Sequence, residues 1–345
     1  MTLESEIFEQ PECLAHLLHS QREAVKKIAA AIHQREIRYV FLAARGTSDN
    51  AGRYANYLWG AQNQLPMALA TPSLFTYYNR PPKLNGALVV GVSQSGQSPD
   101  IVSVIEEGHR QGCLTLSITN SPDSPLARAA DLVLDIQAGD EKAVAATKTY
   151  TTELMAIAML SAALTDDKNN WRELGKVSAW AEKVLKQDVI IAHMAERYRY
   201  MRQCVVLGRG FNYCTAFEWA LKLKELTYTV AESYSSADFQ HGPIAMVEDG
   251  FPVLAVAPRG EVFDTMLEML GRLRNDQMAE LIVISDDKRA LSLAQSPIQL
   301  PGGMPEWLTP IVSIIPAQLF AYHLTRAKGL DPEKPRTIGK VTETN

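Results

Sequence analysis

The sequence has few cysteines and no cysteine cluster. Cys13, Cys113, Cys204 and Cys214 are scattered along 345 residues without a C-x-x-C pair. In a chain of this length, that spacing argues against a disulfide framework or a zinc site and indicates reduced thiols. The seven histidines show no metal-ligand spacing, and the P-loop lysine motif is absent. We therefore expect neither a metal site nor a cofactor.

Excess positive charge and uninterrupted apolar runs are also lacking. Lysine and arginine number 34 against 39 acidic residues, a net charge of −5. This balance argues against nucleic-acid and membrane partners, which need a clustered positive surface. The most apolar stretch, Trp307 to Leu324, is broken by Pro310 and Pro316, so we expect a buried element rather than a membrane span. The acidic N-terminus lacks a signal-peptide core, and a cytoplasmic location is expected.

What the sequence does contain is a series of short apolar runs that alternate with helical patterns. In the first half, the runs that predict strands are 39–42, 87–92, 114–118 and 132–136. This alternation is typical of βαβ units, in which helices cover both faces of a parallel sheet.

The pattern occurs twice. The positions Gly46, Ser93 and Thr119 correspond to Gly210, Pro258 and Ser285, at offsets of 164, 165 and 166 residues. A near-constant offset predicts a tandem duplication of an α/β unit, each copy a parallel sheet in a three-layer αβα sandwich. The predicted organisation is an N-terminal helical segment over 1–36, a first subdomain over 37–165, a linker helix over 166–195, a second subdomain over 196–330 and a tail over 331–345.

Two loops in the first half are rich in hydroxyl groups. They span Arg45–Asp49 and Ser93–Ser98, each at the end of a predicted strand. Free N–H groups at a helix start, together with hydroxyls, can bind a phosphate without a cationic cluster. The alternative is that these serines only cap helices. The equivalent loops at 210–212 and 258–260 lack the hydroxyls, so we expect one phosphate site, here named the phosphate cradle, per chain.

The second half carries titratable groups near other predicted loops. Glu218, Lys222 and Glu225 fall on one face of a helix predicted over 215–228. Taken alone, this pattern favours a solvated stripe of charges. Taken alone, His241 before the Gly-Pro turn is interpreted as an incidental loop residue. The polar tail over 331–345, taken alone, is interpreted as a frayed terminus.

These residues lie in motifs that resemble the SIS (sugar isomerase) phosphosugar family over almost the whole chain. The matching segments are RGTS at 45–48, SQSGQS at 93–98, AVAATK at 143–148, ALKLKEL at 220–226, HGP at 241–243, KPR at 334–336 and Gly339-Lys340. The resemblance implies two SIS subdomains, as the repeat predicts.

The resemblance also implies roles for individual residues. It assigns phosphate and sugar binding to Thr47, Ser48, Ser93, Gln94, Ser95 and Ser98, with a sugar contact from the backbone around Val144. Glu225 matches the base that moves a proton between C1 and C2, and Lys222 lies beside it. His241 matches a histidine that opens the sugar ring from the neighbouring subunit. Lys340 matches a tail lysine that meets the open-chain carbonyl.

The expected activity follows from two departures from the synthases of this family. The first predicted strand begins at residue 39, so we expect no glutaminase domain, and Arg45 replaces the usual cysteine of the synthases, as in shorter members. We expect an isomerising deaminase that converts glucosamine 6-phosphate to fructose 6-phosphate and ammonia. The alternatives are a related deaminase or deglycase, a glutamine-independent phosphosugar isomerase resembling the aminotransferases, or a sugar-phosphate sensor without turnover.

We also expect a homodimer that shares its site across subunits. The apolar stretch Thr152 to Leu164 offers more apolar surface than one exposed face needs, which favours a subunit contact. The alternative is that this stretch is buried within its own subdomain.

Overall fold

Two five-stranded parallel sheets form the centre of the fold. The computed structural model describes residues 2–340, so Met1 and residues 341–345 of the predicted tail lie outside the described residues. The first sheet contains β1 (Tyr39–Ala43), β2 (Met67–Leu69), β3 (Ala87–Val92), β4 (Leu114–Thr119) and β5 (Leu132–Asp135). The second contains β6 (Gln203–Gly208), β7 (Val230–Ser235), β8 (Pro252–Val256), β9 (Glu280–Ser285) and β10 (Ser296–Gln299).

Both sheets have the same strand order. It is β2-β1-β3-β4-β5 in the first sheet and β7-β6-β8-β9-β10 in the second, and all pairings are parallel. The starts of β1, β3 and β4 recur at the starts of β6, β8 and β9 after 164, 165 and 166 residues. The predicted fold class, a tandem pair of parallel α/β units, is therefore confirmed.

Helices follow most of the strands. In the first half they are α1 (Leu3–Phe8), α2 (Gln10–Ser20), α3 (Arg22–His33), α4 (Gly46–Asn63), α5 (Ser73–Thr76), α6 (Pro99–Arg110), α7 (Pro125–Ala129) and α8 (Lys148–Thr165). They continue with α9 (Lys168–Leu174), α10 (Val177–Leu185), α11 (Asp188–Arg197), α12 (Tyr213–Thr227), α13 (Ser236–Phe239), α14 (Phe263–Asn275), α15 (Lys288–Leu293) and α16 (Thr309–Ala327). Short 3-10 helices span Gly210–Asn212, Pro243–Met246 and Glu306–Leu308.

The central strands are buried on both faces. All six residues of β3 and all six of β4 are buried, as expected for strands between two layers of helices. Small residues allow the close approach of α6: a Cβ at Gly108 would overlap the Val89 side chain. The start of α6 is set by Pro99 at its first turn, where the missing N–H costs no helical hydrogen bond.

The described contacts divide the chain into two compact units. One comprises the residues up to Pro11, Ala143–Thr147 and Val177–Thr337, and it holds the second sheet. The other comprises Glu12–Lys142, Lys148–Lys176 and the described residues 338–340, and it holds the first sheet. Each unit therefore combines segments that are distant in the sequence. Residues 2–11 and 143–147 belong to the unit that holds the second sheet, and residues 338–340 belong to the unit that holds the first.

The longest apolar stretch forms a core helix. One described segment, Glu306–Ala327, is long and apolar enough to cross a membrane, and its apolar window is wholly buried in the fold. The expected buried element is therefore confirmed. The expected break is wrong: α16 continues through Pro316, because buried packing outweighs the loss of one helical hydrogen bond.

The apolar stretch Thr152 to Leu164 lies in α8. Residues Lys148 to Ala162 of this helix are buried, and it packs against α3 and α4 of the same unit. The alternative expectation, that this stretch is buried within its own unit, is therefore confirmed for residues 152–162. The predicted homodimer draws no support from α8.

Candidate functional site

The first loop of the cradle joins β1 to α4. Arg45 adopts an extended conformation at the N-cap, and Gly46 then enters the helix with a φ of 53°, which favours glycine. Thr47 and Ser48 consequently lie in the first turn of α4. The Ser48 hydroxyl is nearly buried and donates to Glu153 Oε1 at 2.8 Å. This bond fixes the Ser48 oxygen at the start of the helix.

The second loop joins β3 to α6. Its turn is closed by two hydroxyl acceptors: Gly96 N–H donates to Ser93 Oγ at 3.1 Å, and Gln97 N–H donates to Ser95 Oγ at 3.3 Å. Ser98 is the N-cap residue of α6, but its hydroxyl makes no capping bond to that described helix. The Ser98 side chain is thus not committed to the helix.

The two loops belong to neighbouring strands, since β1 and β3 pair directly. Parallel strands place their carboxyl ends at one edge of the sheet, so the structure brings both loops to the same edge. The backbone carbonyl of Gln94 accepts from the backbone N–H of Asn120 at 3.2 Å, which joins the second loop to the end of β4. Two helix N-termini and their hydroxyls make this edge suited to an anion.

An ion pair connects the first cradle loop to the start of α6, the helix that follows the second loop. Arg45 Nε donates to Asp100 Oδ2 at 2.7 Å, and Asp100 is buried in the first turn of α6. The Arg45 side chain keeps 48% of its exposure. Sequence reasoning placed Arg45 in the first hydroxyl-rich loop and noted it as a departure from the synthases, but it did not identify Asp100.

In the other unit, α12 carries a buried charge triad. Lys222 Nζ lies 2.6 Å from Glu225 Oε2 and 3.3 Å from Glu218 Oε1. Glu218 and Lys222 are buried, and the Glu225 side chain retains 23% of its exposure. The solvated stripe that the pattern alone favours is therefore wrong, because this face of α12 is turned into the protein.

The surroundings of Lys222 favour its charged form. Burial by itself lowers the pKa of the ammonium, but the charges of Glu218 and Glu225 and their hydrogen bonds more than offset that effect. The net result is a Lys222 pKa raised above its ordinary value. Lys222 thus remains an ammonium that holds the Glu225 carboxylate in place.

His241 is presented at the surface. It follows α13, its backbone N–H donates to Asp238 O at 3.0 Å, and its side chain is exposed. Gly242 then turns the chain with a φ of 137° into the 3-10 helix Pro243–Met246. The described contacts do not join His241 to the triad.

The tail is held at three points rather than frayed. The Glu333 carboxylate accepts from Leu3 N–H at 2.9 Å, and the Arg336 guanidinium stacks 3.7 Å from the centre of the Tyr228 ring. In the other unit, Lys340 Nζ donates to Glu141 Oε2 at 2.6 Å.

Glu141 is a site residue that the sequence analysis missed. Its side chain is fully buried and also accepts from the backbone N–H and the hydroxyl of Thr149, at 3.1 and 2.7 Å. The only signal in the sequence is its place three residues before Val144, in a charged stretch that reads as a solvated loop. The sequence analysis also missed Glu153, the partner of Ser48, because it lies in the apolar helix α8.

Comparison with known proteins identifies the fold. A family model described as the SIS domain matches residues 35–163 and again residues 198–327. The glutamine–fructose-6-phosphate aminotransferase (isomerizing) of Thermococcus kodakarensis is 34% identical over 344 residues, which cover 97% of this chain and 56% of that protein. This chain therefore spans about half the length of such curated relatives.

Solved structures give the same result. The C-terminal domain of glucosamine-fructose-6-phosphate aminotransferase from Francisella tularensis superposes with a TM-score of 0.84 at 30% identity, covering 96% of this chain and 98% of that one. A glucosamine-6-phosphate deaminase from Thermotoga maritima has a TM-score of 0.79 at 18% identity and covers 100% of both chains. The second similarity shows a shared fold alone.

Proposed function

Because this chain belongs to the SIS phosphosugar isomerase family, we propose that it acts on a hexosamine 6-phosphate, first of all glucosamine 6-phosphate, and releases ammonia. The observation that carries the proposal is the α12 triad, in which a buried ammonium holds the partly exposed Glu225 carboxylate at 2.6 Å. A solvated helix face does not need such an arrangement, whereas a base acting on a C–H bond needs a fixed position.

The phosphate is assigned to the cradle. Thr47, Ser48, Ser93, Ser95 and Ser98 supply hydroxyls, Gln94 supplies an amide, and the starts of α4 and α6 supply backbone N–H groups. Both helices present the positive end of their dipole to this edge. The paired N-termini and hydroxyl groups support the assignment, since together they bind an anion by directional hydrogen bonds.

Isomerisation is assigned to Glu225 acting on the open-chain sugar. His241 first moves the proton of O1 to the ring oxygen, which opens the ring to the C1 aldehyde. Glu225 then removes the C2 proton while O1 takes up a proton, which gives an enolamine. Glu225 returns its proton to C1 as the amine nitrogen gives up one proton, so that an aldehyde with a C2 amine becomes a C1 alcohol with a C2 imine. Water adds to the imine carbon and ammonia leaves, giving fructose 6-phosphate.

Lys222 and Lys340 have separate tasks in this scheme. Lys222 orients Glu225 through their ion pair. Lys340 is assigned to the charge that develops on the carbonyl oxygen during proton transfer, a task for which an ammonium is suited. Its bond to Glu141 keeps the Lys340 ammonium in one place, and the backbone around Val144 is assigned to the sugar.

A homodimer is part of the proposal. The exposure of His241 supports a role for this residue in the site of a second copy, and sedimentation at micromolar concentration tests it. A solely monomeric active enzyme would remove the shared-site model. The cytoplasmic location and the absence of nucleic-acid and membrane partners stay predictions.

The deciding experiment measures ammonia release and fructose 6-phosphate formation over a panel of substrates. The panel holds glucosamine 6-phosphate, galactosamine 6-phosphate and a fructosyl-amino-acid phosphate. Glu225→Gln should lower kcat by about 10²–10⁴, the usual contribution of a general base, with sugar-phosphate binding nearly unchanged. The exposed Glu232→Gln on β7 serves as the matched control and should retain activity.

Each alternative has its own outcome in this assay. Binding of sugar phosphates without turnover of any substrate identifies a sensor. Formation of glucosamine 6-phosphate from fructose 6-phosphate and ammonium, with a larger kcat than the release of ammonia from glucosamine 6-phosphate, identifies the aminotransferase direction, which the 34% identity to the Thermococcus enzyme favours. Full activity of Glu225→Gln removes Glu225 as the base.

A further inference from the structure

A buried carboxylate near the start of the chain is not used by the proposed reaction. Glu6, in α1, has no exposed surface, and both of its carboxylate oxygens lie 3.2 Å from the backbone N of Ala143. Burying a carboxylate costs free energy unless hydrogen bonds compensate it. The buried Glu6 carboxylate therefore depends on its hydrogen bonds to segment 143–147.

The same segment is held at its other end. Gln10 Nε2 donates to Gln318 Oε1 at 2.9 Å, and Gln318 Nε2 donates in turn to the backbone carbonyl of Thr147 at 3.3 Å. Gln10 and Gln318 are themselves buried. Glu6 thus holds one end of residues 143–147, and Gln318, which is itself bound by Gln10, holds the other end. These residues all belong to the same compact unit.

Burial alternates along this segment. Ala143, Ala145 and Thr147 are buried, whereas Val144 and Ala146 are only half-buried. The segment has no regular secondary structure, so its conformation depends on the groups that hold its ends. A shift at Ala143 would be passed directly to the neighbouring peptide of Val144.

We infer that Glu6 is a positioning residue, which fixes the Val144 backbone and through it the affinity for the sugar part of the substrate. The inference rests on the proposed function, because that function assigns Val144 to the sugar. It separates sugar binding from phosphate binding: Glu6 acts on segment 143–147 and leaves the phosphate cradle unaffected.

The test uses the full chain with Glu6→Ala and Glu6→Gln, and Glu12→Gln on the exposed face of α2 is the matched control. Calorimetry gives the affinities for fructose 6-phosphate and for inorganic phosphate. Glu6→Ala should weaken fructose 6-phosphate binding about tenfold, a factor typical of losing one charge-assisted hydrogen bond, and leave inorganic phosphate binding unchanged. Glu6→Gln should show a smaller loss, since its amide oxygen still accepts a bond from Ala143.

Hydrogen exchange at residues 143–147 provides an independent readout. Exchange there should rise in Glu6→Ala and stay at the wild-type rate in Glu12→Gln. A lower Tm with unchanged exchange and an unchanged affinity ratio would show a merely structural role and overturn the inference. If Glu6→Ala does not fold, the same comparison with Glu6→Gln decides.

The outcome also separates this inference from the proposed function. A wild-type chain that binds no sugar phosphate refutes the proposed function and, with it, the link from Glu6 to sugar affinity. A wild-type chain that binds and converts hexosamine phosphates, with Glu6 variants that do so equally well, refutes the role of Glu6 alone.

Discussion

Arg45 and Asp100 form an ion pair, 2.7 Å from Nε to Oδ2, that connects the first loop of the phosphate cradle to the helix that follows the second loop. The second repeat keeps an arginine at the corresponding position: Arg209 Nη1 donates to Thr265 Oγ1 at 3.3 Å. The carboxylate partner therefore occurs only in the repeat that carries the hydroxyl-rich loops. In that repeat the pair joins the starts of α4 and α6.

Breaking this pair should weaken phosphate binding. Arg45→Met and Asp100→Asn should each raise the Kd for a sugar phosphate, and a double-mutant cycle should give a coupling of about 1–3 kcal/mol, as for groups in one network. Calorimetry with fructose 6-phosphate measures it. Arg209→Met, the matched variant in the other repeat, should leave the Kd unchanged. Additive effects of the two cradle substitutions would show that the pair does not organise the site.

Gly96 should tolerate no side chain. Its φ is 62°, and a Cβ would overlap the Ser124 side chain, whose hydroxyl caps α7 by accepting from Ala127 N–H. We expect Gly96→Ala to lower the free energy of unfolding by about 2–4 kcal/mol and to weaken phosphate binding.

Gly112→Ala is the control for Gly96→Ala. Gly112 has a φ of 76° but open space around the added methyl group, so it isolates the backbone cost of about 1–2 kcal/mol. Denaturant unfolding of both variants makes the comparison. Equal losses would mean that the overlap with Ser124 relaxes without cost.

Removing the Lys222 ammonium should destabilise the protein at neutral pH. In Lys222→Met, Glu218 stays buried but loses this partner, and a broken buried ion pair typically costs about 3–5 kcal/mol. Denaturant unfolding at pH 7 measures the loss. The exposed Lys224→Met on the same helix is the control and should change stability little.

The same residue gives stability an alkaline pH dependence. The folded-state pKa of Lys222 is raised above its ordinary 10.5, so its contribution is complete below about pH 10.5. Above that value the unfolded chain loses the proton while the folded chain keeps it, and the contribution declines as pH rises. Stability of the wild type should therefore fall more steeply above pH 10.5 than that of Lys222→Met, and parallel curves would contradict this assignment.

Lys340 should matter for turnover more than for folding. Lys340→Ala removes the ammonium bound to Glu141. We expect kcat to fall by about tenfold to a hundredfold, with a small change in Tm. Lys334→Ala, an exposed lysine of the same tail, is the matched control. Unfolding of Lys340→Ala with full activity of the remaining folded fraction would assign Lys340 a structural role.

The interior of the fold could be predicted from the sequence because its central strands are continuous apolar runs. The run 87–92 predicts β3 with its observed bounds, and the repeat predicts its counterpart β8. The prediction missed β2, β7 and β10, which lie at sheet edges. An edge strand is half-exposed and contacts one neighbour, so its composition is weakly constrained; β7 reads Val-Ala-Glu-Ser-Tyr-Ser.

The candidate site was predicted only in part, because spacing along a helix does not show what covers it. Glu218 and Lys222 have the i, i+4 spacing of a surface pair, yet the fold buries both. Glu141 is 199 residues from Lys340 in the chain, and no local pattern can indicate that they meet. The serines of the cradle were accessible to prediction because strand, glycine turn and helix start are contiguous in sequence.

The bond from Leu3 N–H to Glu333 joins positions 330 residues apart. A fusion partner or protease site placed ahead of α1 would therefore lie next to a segment that also binds the C-terminal tail. Trimming a few leading residues should then loosen residues near 333, so affinity purification through the N-terminus risks an enzyme altered at its far end.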